Sequence, residues 1–418
     1  MNEASRHSGA EQRAPHVFLS LGFRPLYILG TAWALLSVAL WIFLPSLIPA
    51  PFFPVAWHAH EMLWGFIATI ATGFLLTASA TWTGHNPMQG KPLKIMCLAW
   101  IGARLAYLTG GDAAFLVGVI LETTFFLYSA YRLACVVLRG KSLRNYGVPV
   151  LVLGLGLSNL LFLQASWQGD YLGVIDRFNT GMLLMAVLTI LVARRVIPFF
   201  AGRMVPGLNI PLLVNSGRMQ LVLGSIAIAA GLTGQKAIVA TSLAVVGLIG
   251  LVQLIRWRPL AVIHKPMLWI LYLGYLGLNL GLLTAAAHAT GLTDSALFAH
   301  PAGYVHIIGM GGFAVLIIGM VTRTALGHTG RPLALDRTML ASYWFMITAV
   351  VLRLGALIFP GIAGSLLHAS AAAWVVSLGL YLYRYVPILT QPRIDARPSP
   401  APAASTTVHA VRKSQIGQ

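Results

Sequence analysis

Twelve apolar stretches, each close to the ~20 residues needed to cross bilayer hydrocarbon, leave this chain few ways to fold. They fall at roughly 23–48, 58–82, 92–109, 113–138, 146–166, 177–199, 217–233, 236–255, 266–289, 300–325, 337–357 and 362–386. In lipid every backbone N–H and C=O must find its partner within the protein, so such stretches predict helices. The expected fold is an all-α, polytopic transmembrane helical bundle of about 12 spans within residues 21–390. The seventh and eighth stretches are the least securely divided, with only Gly234 and Gln235 between them. Composition agrees: 58% of the 418 residues are hydrophobic and 9% charged, where a soluble domain carries about 25% charged residues. The mean hydropathy is +0.80. The first stretch outruns the ~7–15 residues of a signal-peptide core and reads as a retained span. Residues 1–20 and 391–418, polar and rich in Pro, Ala and Ser towards the end, are expected to be disordered.

A net charge of +18 would suit nucleic acid if it gathered on one soluble domain. It does not, and nucleic acid is excluded as a partner. The basic residues sit in short loops between the apolar stretches. With a cytoplasmic N-terminus, the inner loops hold Lys91, Lys94, Arg139, Lys141, Arg144, Arg194, Arg195, Arg203, Arg218, Arg256, Arg258, Lys265, Arg331 and Arg337. The outer loops hold only Arg177 and Lys236, beside Asp112, Asp170, Asp176 and Asp294. This asymmetry places both termini in the cytoplasm. Cys97 and Cys135 lie in different stretches, with no CxxC or CxxCH, so a disulfide framework and covalent haem attachment are not expected.

That topology gives each histidine a depth. His58, His60, His288, His300, His306 and His368 all fall in the outer half, on four helices; His85, His264 and His328 fall at the inner boundary. His7, His16 and His409 lie in the tails. Histidine is the commonest metal ligand and a usual axial ligand of haem iron, so the outer six are the candidate metal ligands. There is no HExxH, which disfavours a zinc protease. His58 and His60 diverge by ~200° on a regular helix, so either the first turn is irregular or each serves a different centre. His58 with Met62, and His306 with Met310, are spaced to share a face. Glu61 and Glu122 lie at similar depth and are the candidate proton-handling carboxylates. Arg104 and Arg353 are candidates for gripping the carboxylates of a cofactor. Structural pairing with Glu122 or Glu61 remains the alternative for both arginines.

Residues 60–84 also echo residues 306–330: His60 meets His306, Gly65 meets Gly311, Gly73 meets Gly319, and Thr83-Gly84 meets Thr329-Gly330. Each copy is followed by a basic-Pro-Leu step and a helix carrying an arginine, which suggests two related three-helix units. Glycines 65, 73, 309, 311, 312 and 319 would admit a flat macrocycle or a neighbouring backbone.

The strings W-H-A-H-E-M at 57–62, G-F-L-L-T-A at 73–78, W-T-G at 82–84, R-x-I-P-F-F at 195–200 and L-G-H-T-G-R at 326–331 together resemble the NnrS family over roughly 18–390. The resemblance implies a twelve-helix bacterial inner-membrane protein containing haem and copper, serving nitric oxide metabolism and resistance to nitrosative stress. His58, His60 and His306 fall on that family's histidine motifs, Arg195 and His328 on two others; no ligand is assigned to haem or copper by the motifs. The reading that follows is a haem, expected to be b-type, with copper as a second candidate, binding and reducing nitric oxide. His58, His60, His306, His368, Arg104 and Arg353 are its candidate cofactor contacts. The electron donor is open between quinol and a periplasmic cytochrome. A non-catalytic nitric-oxide-binding protective protein and a proton-coupled transporter are the alternatives, so enzymatic activity as a nitric oxide reductase stays open.

Overall fold

The computed structural model describes residues 17–49, 52–292 and 295–394. The expected disorder of the two ends therefore falls largely outside the described residues, as do His7, His16, His409 and Asp294. All twelve predicted stretches are helical, and the described residues contain no strand. We number the helices α1 (Phe23–Phe43), α2 (Pro54–Thr83), α3 (Lys91–Thr109), α4 (Asp112–Arg139), α5 (Gly147–Trp167) and α6 (Tyr171–Met204). These are followed by α7 (Val214–Leu232), α8 (Lys236–Arg256), α9 (Pro266–Ala289), α10 (Pro301–His328), α11 (Arg337–Ile358) and α12 (Ala363–Thr390).

Ten of these helices are long and apolar enough to cross a membrane. The exceptions are α3 and α7. The first carries Lys91, Lys94 and Arg104; the second opens with Asn215, Ser216, Arg218 and Gln220. Both pack within the bundle, α3 on α4 and α7 on α6 and α8. The chain is thus a multi-pass membrane protein. Its outer surface supports this: Leu116, Val117 and Ile120 on α4, Leu248 and Val252 on α8, and Val351 on α11 are each at least half exposed. A water-soluble bundle would bury such rows.

Local sequence sets the helix ends. Asp170 and Asp336 cap α6 and α11, accepting from the Gly173 and Met339 amides at 2.9 Å. Proline opens α2, α9 and α10, where its missing N–H costs nothing. Gly234 turns α7 into α8 at φ +71°, a conformation glycine adopts freely, and so resolves the boundary that was hardest to read in sequence.

The internal echo has a backbone counterpart. His60 and His306 are 246 positions apart, and the same offset carries a π-helical segment, Glu61–Ala68, onto a second one, Ile307–Ala314. It also carries the end of α1 onto the end of α9, and the start of α3 onto the start of α11. The two π segments pack against each other at the middle of the bundle. π-Helical turns are rare and often mark functional positions.

Candidate metal centre and buried ion network

The two histidines of the W-H-A-H-E-M string part company. His60 is fully buried and points towards α3, α4 and α5. Its Nδ1 lies 2.9 Å from Glu61 Oε1, and its Nε2 lies 3.0 Å from both Glu122 Oε2 and Asn159 Oδ1. Arg104 forms ion pairs with both Glu61 and Glu122. The Trp33 indole donates to Glu61, and the Tyr107 hydroxyl donates to Glu122 Oε2 at 3.0 Å. Both ring nitrogens of His60 face oxygens that only accept, which calls for N–H on both. An imidazolium and a guanidinium then balance two carboxylates, the condition under which so many buried charges persist. Gly65 makes the room: a Cβ there would stand 2.5 Å from Glu61 Oε2 and 2.9 Å from Arg104 Nη1.

His58 turns the other way. It lines a cavity of about 420 Å³ together with His306, Arg353, Met62 and Met310. Its ring stacks on Trp41 at 5.4 Å and 12°. The His306 ring lies 6.5 Å from it, centre to centre, at an interplanar angle of 18°. The Nδ1 of His306 donates to the Ala302 carbonyl at 2.7 Å. That bond fixes the tautomer and leaves Nε2 as a free lone pair. The Nδ1 of His58 is buried without a hydrogen-bond partner. Arg353 lines the same cavity and forms no ion pair with a carboxylate among the described residues.

The six outer histidines are therefore not one cluster. His288 is held by the Phe298 carbonyl at 2.7 Å, and its ring lies tilted against Tyr304 at 5.3 Å. His300 is exposed at the break before α10. His368 is exposed, with Nδ1 on the Gly364 carbonyl at 2.8 Å. None of these three lines the cavity, and no group of three or more metal-ligating side chains forms among the described residues. Both nitrogens of His60 face carboxylate and amide oxygens, and the residue does not line the cavity. Arg104 answers to its alternative reading as a structural partner of Glu61 and Glu122; Arg353 does not. Of the singled-out glycines, Gly309 alone borders the cavity, and a Cβ there would meet nothing within 4 Å.

Three contributors escaped the sequence reading. Asn159, an amide in the middle of the largely apolar run of α5, was a visible signal. Tyr107 follows Arg104 by three positions and shares its face, a second signal. Trp33 gave none.

The sequence profile described as NnrS protein matches residues 17–393. The chain belongs to the NnrS family. That makes it a membrane protein connected with nitric oxide. No curated protein and no solved structure matches it. Within this NnrS protein, the family string at 57–62 supplies both halves of the geometry above: His58 to the cavity, His60 and Glu61 to the ion network.

Proposed function

We propose that this NnrS protein binds nitric oxide at a b-type haem held in the cavity between His58 and His306. The observation that carries the reading is the facing pair of imidazoles, drawn from two different helices, with ring nitrogens left free on one cavity. With ring centres 6.5 Å apart, His58 or His306 would hold the iron and leave the other imidazole beside it. Arg353, without a carboxylate of its own, would take a propionate. When bound, the haem iron supplies a site for nitric oxide and one-electron chemistry. Met62 and Met310 on the same wall add soft donors, so a copper ion is the second candidate occupant.

The family resemblance implies a bacterial inner membrane, and the charge pattern would then put both termini in the cytoplasm and the cavity towards the periplasm, within reach of a quinol or a periplasmic cytochrome. Reduction of two nitric oxide molecules to nitrous oxide and water takes up two electrons and two protons. Glu61 and Glu122 are the candidate carboxylates for those protons, yet neither lines the cavity. The Phe162 ring lines it instead and stacks on His60 at 5.7 Å, which seals the network off. That enclosure favours a second reading, capture of nitric oxide without turnover.

The test is optical and metal analysis of purified protein. A haem spectrum should be present in the wild type, lost or shifted in His58→Ala and in His306→Ala, and retained in His368→Ala. Absence of porphyrin, or wild-type spectra in both cavity variants, removes the haem reading. Nitrous oxide formed in a single turnover with a chemical reductant separates reduction from capture.

A further inference from the structure

At the opposite end of α6 from the histidine cavity lies a second, chemically different pocket of about 260 Å³. Four arginines line it: Arg144 from the α4–α5 connection, Arg194 and Arg195 from α6, and Arg218 from α7. None of the acidic residues at described positions lines it, and none of its arginines forms an ion pair with one. The cations lie within range of one another: Arg195 is repelled by Arg194 and Arg144, and Arg194 by Arg218. Like charges gathered without a counter-ion cost free energy, and an anion removes that cost.

The pocket is built as well as charged. Arg195 is clamped: its Nε donates to the Leu191 carbonyl at 2.9 Å, its Nη1 donates to Asn145 Oδ1 at 2.8 Å, and its guanidinium lies over Trp82 at 5.4 Å. Its Nη2 is left buried with no partner, as is the Nε of Arg194. Arg194 lies against Gly217, where a Cβ would come within 2.6 Å of its Nη1. The N-terminus of α7 opens beside it at Leu213 and Val214, without a side-chain cap. Free amides at a helix start add to the attraction for an anion. The rim is apolar: Leu212 is 74% exposed and Val214 47%.

We propose that this pocket binds a phosphate-bearing ligand, whose phosphate engages the arginine forks while its apolar part lies along Leu212 and Val214. Planar guanidinium forks match phosphate oxygens bidentately. The apolar rim suits a membrane lipid headgroup, and a soluble phosphate compound would satisfy the same forks. The Trp82–Arg195 contact joins two of the sequence strings, W-T-G and R-x-I-P-F-F, that the histidine cavity leaves unused.

The experiment is thermal unfolding of the full-length, delipidated protein in neutral detergent, titrated with phosphatidylglycerol, phosphatidylcholine or inorganic pyrophosphate. Phosphatidylglycerol should raise Tm where phosphatidylcholine does not. Its apparent affinity should fall about tenfold in Arg194→Gln/Arg218→Gln and in Arg195→Lys, which keeps the charge but loses the fork. A rise with pyrophosphate that the same variants abolish assigns the site to soluble phosphates instead of headgroups. Gly217→Val, which keeps all four arginines while crowding Arg194, should weaken binding too and separates this pocket from general surface charge. Helical content by circular dichroism identifies variants that fold, and any one of them suffices. Equal shifts in wild type and folded variants, equal effects of the two lipids, or no shift with any addition overturns the proposal.

Discussion

The α1–α3 unit and the α9–α11 unit share a backbone plan and differ in what they do with charge. At the common offset His60 corresponds to His306 and Glu61 to Ile307. At the first unit Glu61, with Glu122 of α4, draws Arg104 and His60 into a closed network. In the second, Ile307 stands in place of the glutamate, Arg353 forms no ion pair with a carboxylate among the described residues, and His306 faces His58 of the first across a cavity. A pair of π-helical segments can thus support either a neutral, packed ion cluster or an open, cationic site.

The contrast is broken most directly at Arg104. Arg104→Ala leaves Glu61 and Glu122 buried without their main counter-charge, and losing one partner of a buried pair costs about 3–5 kcal/mol. Thermal unfolding in detergent should show a large drop in Tm or a failure to accumulate. Arg353→Ala on α11 strands no carboxylate, so its stability cost should stay within about 1 kcal/mol. Equal losses at the two arginines would mean that the units are not electrostatically different.

Gly65→Ala comes next. The added methyl would press on Glu61 and Arg104, neither of which is free to move, and overpacking of this kind costs about 1–3 kcal/mol. A wild-type Tm for Gly65→Ala would show that the network has slack and that its closed description is wrong.

Much of this was legible beforehand, and the reasons are physical. Lipid forces each apolar stretch to satisfy its backbone internally, so helices at all twelve positions could be read from hydropathy. The divergence of His58 from His60 follows from helical angle, and the structure sends them to different surroundings, one of the two alternatives that angle left open. What hydropathy gives is depth. It does not give the direction in which a side chain faces, or which helices are neighbours. His288, His300 and His368 therefore shared a depth with His58 and His306 but not a site. The π-helical segments, whose wider turns alter facing over eight residues each, left no mark in the amino-acid pattern. The arginine pocket was visible only as loop charge, because its members come from three separate parts of the chain.

The smallest expected effect is the sharpest on the second unit. Gly309 is the cavity-facing glycine, and a Cβ there meets nothing within 4 Å. Gly309→Ala should leave stability unchanged or raise it by up to about 1 kcal/mol, since alanine is the better helix former. Larger side chains at the same position fill space that belongs to the ligand and touch little of the protein. A series from alanine to valine to leucine should therefore hold the apo Tm nearly level while cofactor content falls stepwise. The equivalent series at Gly65 should lower stability from its first member. If instead the Gly309 series unfolds the protein as the side chain grows, the cavity walls are in contact when empty, and the second unit is as closed as the first.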